Sequence, residues 1–232
     1  MRWAGSPLSP VISCGETGNE AMTSGRFITL EGGEGAGKST QAPLLVAALE
    51  QAGIKAVATR EPGGSAGAEA IRRLLLEGDV ERWDARSETL LLTAARHDHV
   101  VKLIKPALAR GIWVVSDRFA DSTVAYQGYG GGQPLADIAL LHRLALDDFV
   151  PDLTLILDLP VETGLARAAA RTAADRFERR DRAFHERLRQ GFRAIAASAP
   201  ARCVLIDAMP GPETVHRAIL AAVAERLKLD LK

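Results

Sequence analysis

The chain has 232 residues, of which 47% are hydrophobic, and it carries 29 basic and 29 acidic side chains. This length suits one domain with a substantial core, and the apolar content argues against a disordered chain. A net charge of zero argues against a protein that mainly coats nucleic acid or a membrane surface, because both attract a basic excess. With two cysteines, Cys14 and Cys203, and no apolar run near the length of a membrane span, the expected location is the cytoplasm.

Residues 1–25 are rich in glycine, serine, proline and threonine and show no periodicity. They lack the apolar stretch of a signal peptide and the arginine-rich, acid-poor composition of a mitochondrial presequence. We expect a disordered N-terminal extension here, with Met22 as an alternative start, followed by one domain over residues 26–232.

Short apolar runs alternate with helical patterns from residue 26 onward. Apolar residues in consecutive positions are typical of strands in a parallel sheet that is covered on both faces. The alternation predicts an α/β doubly wound fold with a parallel five-stranded sheet, flanking helices and ligands at the carboxyl ends of the strands. The predicted strands are 27–30, 54–58, 112–115, 153–157 and 204–206, and the predicted helices are 38–51, 66–76, 87–108, 135–147, 161–172, 182–197 and 213–227.

A complete G-x-x-x-x-G-K-[ST] pattern, which we call the phosphate loop, follows the first predicted strand at residues 32–39. Its glycines let successive backbone N–H groups point at one anion, and the following helix contributes its partial positive charge. Lys38 would reach the β- and γ-phosphates, and Ser39 would hold Mg²⁺. The pattern predicts binding of a nucleoside triphosphate, but it does not distinguish a kinase, a GTPase switch and a mechanical ATPase.

Asp117 and Arg118 come directly after the predicted strand 112–115. An acidic residue at the end of a strand beside the phosphate-loop strand can orient Mg²⁺ and its water ligands. The alternative is an aspartate that caps a helix. Arg118 would lie where a phosphate binds, and a guanidinium can grip two phosphate oxygens at once.

Several segments together resemble the thymidylate kinases, over residues 26–228. Glu34 matches an acidic residue that bacterial members carry in the phosphate loop, and residues 59–64 resemble the family's REPGG loop. The family's signature sequence is resembled by three further segments of this chain, which are Asp117-Arg118-Phe119, Ser122 and Ala125-Tyr126-Gln127-Gly128. Residues 164–178 resemble the bacterial-type lid, so the resemblance implies a P-loop NTPase-like fold with a helical lid over about 164–182.

The resemblance implies transfer of the γ-phosphoryl group of ATP to dTMP, with Mg²⁺ as the metal, no nucleic-acid or membrane partner, and a homodimer. The acceptor is a phosphate monoester with a second pKa near 6, so it is already ionised at neutral pH and needs no general base. The residues expected at ATP are Gly32, Gly33, Glu34, Gly35, Ala36, Gly37, Lys38, Ser39, Thr40 and Arg167, with Ser39 and Asp117 at the metal.

Six arginines fall within the sixteen residues 167–182. The phosphate loop has no arginine, so the resemblance implies that the lid supplies the catalytic one, and Arg167 is expected to stack on adenine. The catalytic residues expected on this basis are Lys38, Arg118, Arg171 and Arg176. A solvated helix face is the alternative reading, and we prefer it for Arg179, Arg180 and Arg182.

The resemblance also implies a pocket for the acceptor nucleotide. Leu92 and Arg96 are four residues apart and share one face of the predicted helix 87–108. Leu92 departs from the family, which usually has an aromatic residue there, so we expect weaker binding of the base or a substitute such as Tyr126 or Phe119. The alternative to these roles is a surface position for Arg96 and core packing for Tyr126 and Gln127. The full expected set is Glu34, Glu61, Pro62, Leu92, Arg96, Arg118, Ser122, Tyr126 and Gln127.

Two other functions share the phosphate-loop argument. One is a P-loop kinase for another nucleoside or nucleotide, against which the segments at 60–64 and 117–128 argue. The other is a nucleotide-dependent ATPase or GTPase switch. The sequence has no N-K-x-D motif for guanine, and its arginine-rich lid favours a self-contained phosphoryl-transfer site.

Overall fold

A five-stranded parallel sheet forms the centre of this computed structural model, which describes residues 24–170 and 176–231. The strand order is β2-β3-β1-β4-β5, and every neighbouring pair is parallel. The predicted fold class is confirmed, and the predicted strand ends are correct to within two residues. The strands are β1 (Phe27–Gly32), β2 (Ala56–Arg60), β3 (Trp113–Asp117), β4 (Leu153–Asp158) and β5 (Cys203–Asp207).

Helices connect the strands and cover both faces of the sheet. The last helix and the first one pack on the same face, and the others that carry the site pack on the opposite face. The helices are α1 (Lys38–Gln51), α2 (Ala66–Leu76), α3 (Ala85–His99), α4 (Lys105–Ala109), α5 (Ala120–Thr123), α6 (Leu135–Leu146), α7 (Val161–Ala169), α8 (Arg182–Ser198) and α9 (Pro212–Leu227). Among the described residues, no helix combines the length and apolar character that a membrane span requires.

All six residues of β1 are buried, because its side chains alternate between two apolar layers. Ile28 and Leu30 pack with residues of α1 and α9, whereas Phe27 packs with Val114 and Ile104 on the other side of the sheet. A third cluster joins β4 to four buried side chains of α8. This double coverage explains why the strands are apolar on consecutive residues.

The predicted helix 87–108 is divided in the structure. Asp84 caps α3 by accepting hydrogen bonds from the backbone N–H groups of Arg86 and Ser87. A π-helical turn over Val100–Ile104 then separates α3 from α4. Pro106 accounts for the division, because a proline has no backbone N–H to continue the α-helical hydrogen bonds of the preceding turn.

The sequence did not predict the helical segment that follows β3. It consists of α5 and a π-helical stretch over Val124–Gly130. Residues 122–132 combine β-branched side chains with several glycines, and both lower helix propensity. The tertiary structure overrides that propensity, and the segment carries Ser122, Tyr126 and Gln127 to the carboxyl edge of the sheet.

Two glycines allow α7 to pack directly on the phosphate loop. Gly35 has a φ of +65°, and a Cβ atom there would lie 2.0 Å from the carbonyl oxygen of Gly164. A Cβ atom on Gly164 would in turn lie 2.4 Å from the carbonyl oxygen of Glu34. Backbone therefore packs on backbone at this point, and the start of the predicted lid region is fixed against the loop that precedes α1.

Candidate active site

A cleft of about 180 Å³ opens where β1, β2 and β3 end. Because β3 lies next to β1, Asp117, the last residue of β3, lies beside the strand that leads into the phosphate loop, as its place in the sequence predicted. The predicted site residues that line the cleft are Glu34, Gly35, Gly37, Lys38, Ser39, Glu61, Pro62, Leu92, Arg96, Asp117, Arg118, Ser122, Tyr126 and Gln127. Phe119, which was expected only as a substitute for the aromatic residue at position 92, also lines it. Residues to which the sequence gave no role in the cleft are Arg60, Arg72, Leu76, Thr123 and Phe177.

The ammonium group of Lys38 is buried at the base of the phosphate loop. It donates hydrogen bonds to the carbonyl oxygens of Gly32, at 3.0 Å, and Gly33, at 2.7 Å. Burial, together with repulsion from Arg118, lowers the pKa of Lys38 to about 8. An anion in the cleft would oppose this shift, because it favours the charged form of the amine.

Arg118 reaches the same part of the loop from the end of β3. Its backbone has a φ of +74°, and its guanidinium donates to the carbonyl oxygen of Gly32 at 3.0 Å and to the hydroxyl of Ser122 at 3.2 Å. It also pairs with Glu34 at 3.1 Å and lies over the ring of Tyr126 at 4.8 Å. Burial opposes the charged form, but these neighbours raise the pKa of Arg118 above its usual value.

Glu34 is the acidic residue inside the anion-binding loop. Burial on its own would raise the pKa of this carboxyl, but Arg118 and Lys38 outweigh burial and hold the pKa of Glu34 below its usual value. The hydroxyl of Tyr126 donates a hydrogen bond to the same carboxylate. Glu34 is therefore a charged group that holds Arg118 and Tyr126 together at the centre of the cleft.

Glu31 is a residue that the sequence analysis missed. Its carboxyl accepts from the backbone N–H of Phe119 at 2.7 Å and from the hydroxyl of Ser122 at 2.5 Å. It thereby fixes the turn that carries Arg118. Burial, together with repulsion from Asp121, raises the pKa of Glu31 to about 8. A single acidic residue inside an apolar strand was the available signal, since burying such a group requires partners.

Glu61 and Arg96 form a buried ion pair on the opposite wall. The Nε of Arg96 donates to one carboxylate oxygen of Glu61 at 2.7 Å, and its Nη2 donates to the carbonyl oxygen of Phe119 at 3.1 Å. The other oxygen of Glu61 pairs with Nδ1 of His99 at 3.0 Å. Arg96 is therefore buried in the cleft wall, and the alternative of a surface arginine is wrong.

Oxygen donors suited to a small divalent cation lie in the same cleft. Ser39 and Asp117 both line it beside Lys38. No group of three or more His, Cys, Asp or Glu side chains suited to a metal ion occurs within residues 24–170 and 176–231. Mg²⁺ commonly takes one or two protein oxygens and completes its shell with phosphates and water, so this donor pair fits that ion.

Known proteins are similar to this chain in both sequence and structure. The family profile "Thymidylate kinase" matches residues 30–219. The thymidylate kinase of Caulobacter vibrioides is 56% identical over 208 residues, covering 90% of this chain and 100% of that protein. The thymidylate kinase of Rhizorhabdus wittichii is 54% identical over 205 residues, covering 88% and 99%.

A crystal structure of thymidylate kinase from Ehrlichia chaffeensis aligns with a TM-score of 0.68 at 36% identity. The alignment covers 86% of this chain and 99% of that one. The chain belongs to the thymidylate kinase family.

Leu92 lies in the cleft wall, where thymidylate kinases usually have an aromatic residue according to the resemblance described above. The structure brings a different aromatic ring into the same cleft. Phe177 lines it and meets Tyr126 edge-to-face, with 5.8 Å between the ring centroids. The sequence did not suggest Phe177 as the substitute, because it lies in the predicted lid, far from Leu92 along the chain.

Of the two lid arginines expected to be catalytic, Arg176 is the one that the structure describes. Arg176 does not line the cleft: it is buried, pairs with Glu88 and donates to the carbonyl oxygens of Leu75 and Val80. The expectation that it reaches the transferring group is therefore not met in this structure. Arg171 lies outside the described residues, as do residues 1–23 of the expected N-terminal extension.

The remaining residues expected at ATP lie around the loop. Arg167 donates to the carbonyl oxygens of Ala208 and Met209, each at 2.9 Å, and so ties α7 to the loop after β5. The carbonyl oxygens of Gly32 and Gly33 hold Lys38. Ala36 is buried, and Thr40 is exposed in the first turn of α1.

The raised pKa of Glu31 predicts a pH dependence of stability. A carboxyl whose pKa rises from 4.5 in the unfolded chain to about 8 in the fold binds a proton more tightly when folded, so stability falls as pH rises between these values. Between pH 5.5 and pH 8, wild type should lose on the order of 3 kcal/mol more than Glu31→Gln. Urea unfolding at both pH values measures the difference, and equal losses in the two proteins would contradict it.

Proposed function

We propose that this chain transfers the γ-phosphoryl group of ATP to dTMP, giving dTDP and ADP. The observation that carries the proposal is the convergence of Lys38, Arg96 and Arg118 on one cleft, with the phosphate loop at one end and an apolar pocket at the other. Phosphoryl transfer depends on positioning and on positive charge around the transferring group, and this cleft supplies both.

The phosphate loop and Lys38 bind the triphosphate. Lys38 donates hydrogen bonds to the carbonyl oxygens of Gly32 and Gly33, which are neutral acceptors for its charged amine. Phosphate oxygens are anionic and make stronger hydrogen bonds to an ammonium group, so they exchange with these carbonyls. Their charge also favours the protonated amine, which opposes the burial that lowers its pKa.

Arg118 and Arg96 bind the phosphate of the acceptor. Arg118 is paired with Glu34, so it is oriented toward the loop before any nucleotide enters. Arg96 is oriented by Glu61 in the same way. Because the acceptor phosphate is ionised at neutral pH, these residues align and stabilise a nucleophile that needs no base.

Ser39 and Asp117 are the residues that would hold Mg²⁺. Both present oxygen atoms to the part of the cleft where the triphosphate lies in this proposal. When bound, the ion offsets the negative charge of the phosphate oxygens.

Glu34, Tyr126 and Gln127 contact the nucleoside part of the acceptor in this proposal. The Tyr126 ring lies between Arg118 and Phe177 and limits the space beside the sugar. Glu34 accepts from Tyr126 and can accept a further hydrogen bond from a sugar hydroxyl. Discrimination of thymine from uracil rests on apolar contact with the 5-methyl group of thymine, which is worth about 1–3 kcal/mol.

An acceptor panel tests the proposal. Purified enzyme is assayed for ADP formation with dTMP, dUMP, UMP and thymidine in the presence of Mg²⁺ and ATP. We expect dTMP to be the best acceptor, with kcat/KM for dUMP lower by about 10–200-fold because one methyl group separates the two. Turnover of thymidine in preference to dTMP would contradict the proposal, and so would tight ATP binding with no turnover of any acceptor.

Two variants test the roles of Arg118 and Lys38 in that assay. Arg118→Ala should lower kcat with dTMP by about 100-fold or more, because it removes a charge from the transferring group. Lys38→Ala should lower it at least as much. Retained near-wild-type kcat in both would contradict the assigned roles, provided that the melting temperatures show folded proteins.

We also propose that the chain forms a homodimer through α3 and α6. Leu140 and Leu144 lie one turn apart on α6, and Leu144 is 80% exposed. Leu90 is exposed on α3, and Val101 is exposed on the π-helical turn that follows α3. The hydrogen bond between His97 and the carbonyl oxygen of Ala145 joins α3 to α6, and we assign the four exposed apolar side chains on and beside these helices to the surface that binds a second copy.

Sedimentation velocity tests the dimer. Wild type should sediment as a dimer at micromolar concentration, and Leu144→Glu should shift it to a monomer by placing a charge in the interface. Leu74→Glu, at an exposed leucine on α2, is the control and should remain dimeric. A monomeric wild type would contradict this proposal.

A further inference from the structure

The side-chain amide of Gln127 has a fixed orientation in the cleft wall. Its Nε2 donates to a carboxylate oxygen of Glu88 at 2.8 Å, whereas its Oε1 has no hydrogen-bond partner among the described residues. Gln127 is 3% exposed and lines the cleft. A carboxylate accepts hydrogen bonds and cannot donate one, so Glu88 requires the NH₂ group of Gln127 on its side. The carbonyl oxygen is thereby left as a free acceptor.

Glu88 is itself held in place by Arg176. The Nη2 of Arg176 pairs with the second carboxylate oxygen of Glu88. The same guanidinium donates from Nε to the carbonyl oxygen of Leu75 at 3.0 Å and from Nη1 to that of Val80 at 2.9 Å. The side chain of Arg176 is fully buried, so these three bonds join the end of α2, the loop before α3, the start of α3 and the C-terminal part of the predicted lid.

We propose that Glu88 and Arg176 are positioning residues that set which base the acceptor pocket takes. They fix Gln127 as a hydrogen-bond acceptor, which suits a base that presents a ring N–H, as thymine and uracil do at N3. Cytosine presents a lone pair at that nitrogen and would leave two acceptors facing each other in a buried site. This inference rests on the proposed function, because it names how that site selects among deoxynucleoside monophosphates.

The ion pair between Glu88 and Arg176 also connects base recognition to the predicted lid. Phe177 is the next residue after Arg176 and lines the cleft, and the guanidinium of Arg176 lies 4.8 Å from the centre of its ring. Seating Arg176 between Leu75, Val80 and Glu88 therefore places Phe177 in the pocket and orients Gln127 through Glu88. One ion pair sets both the apolar wall and the polar contact for the base.

The substitution Glu88→Gln tests the inference without changing the shape of the side chain. Arg176 would donate to the amide oxygen of the new glutamine, whose NH₂ group would then face Gln127. The side-chain amide of Gln127 would then have to accept with its oxygen, which would turn its NH₂ group into the pocket. The ratio of kcat/KM for dTMP to kcat/KM for dCMP should fall by about tenfold or more, since the pocket now offers a donor to the base.

Arg176→Lys gives a second readout that does not depend on that variant. An ammonium group keeps the positive charge but cannot serve three acceptors in the geometry of a guanidinium. We expect KM for dTMP to rise by about tenfold and the dTMP-to-dCMP ratio to fall, with kcat within about threefold of wild type. If Arg176 instead acts on the transferring group, kcat falls equally with both acceptors and the ratio is unchanged, which overturns the inference.

Arg189→Lys is the matched control. Arg189 makes a two-bond ion pair with Asp158, at 2.8 and 2.9 Å, without contacting Gln127. It should leave the acceptor ratio unchanged, and an equal fall in this control would overturn the inference. An unchanged ratio in Glu88→Gln would also overturn it, while wild type that phosphorylates dTMP shows that the proposed function stands. Wild type inactive on dTMP would instead refute the proposed function, and the inference with it.

Discussion

Positive charge is concentrated and largely buried at one edge of the sheet, and this constraint organises the site. Lys38 and Arg96 are buried, and Arg118 is largely so. A buried charge is costly unless it is paired, so each of these side chains has an acceptor from the protein itself. Backbone carbonyls of the phosphate loop hold Lys38, Glu34 holds Arg118, and Glu61 holds Arg96. These acceptors keep the cations oriented toward a common cleft.

The same constraint explains why acidic residues surround an anion-binding site. Glu34 and Glu61 each orient an arginine, and Glu31 fixes the turn that carries Arg118. The result is a set of cations whose positions are determined before substrate arrives, which reduces the reorganisation that the reaction requires. Glu88 orients the side-chain amide of Gln127 in a corresponding way, by accepting a hydrogen bond from its NH₂ group.

Much of this architecture could be predicted from the sequence. The phosphate loop was recognisable because a strand, a glycine pattern and a helix must occur together for backbone amides to converge on an anion. Asp117 could be placed because parallel strands end at one edge. The boundaries of β1 to β5 followed from apolar runs that a doubly covered sheet demands.

Other features depend on contacts between distant parts of the chain. The π-helical segment that carries Tyr126 and Gln127 forms against its local propensity, because packing on α8 and the sheet determines it. The role of Arg176 could not be read from an arginine-rich stretch, since charged side chains there look alike until Glu88 is brought beside one of them. The position of Phe177 in the cleft likewise depends on contacts between segments that are distant along the chain. Spacing along the chain does not show which side chains share a pocket.

A crystal structure with dTMP and a non-hydrolysable ATP analogue tests most directly whether the protein's own acceptors stand in for substrate oxygens. The account predicts that the Lys38 ammonium leaves the carbonyl oxygens of Gly32 and Gly33 for phosphate oxygens of the ATP analogue, and that Arg118 binds the phosphate of dTMP. If both nucleotides bind while Lys38 and Arg118 keep their present partners and contact neither phosphate, the account is contradicted.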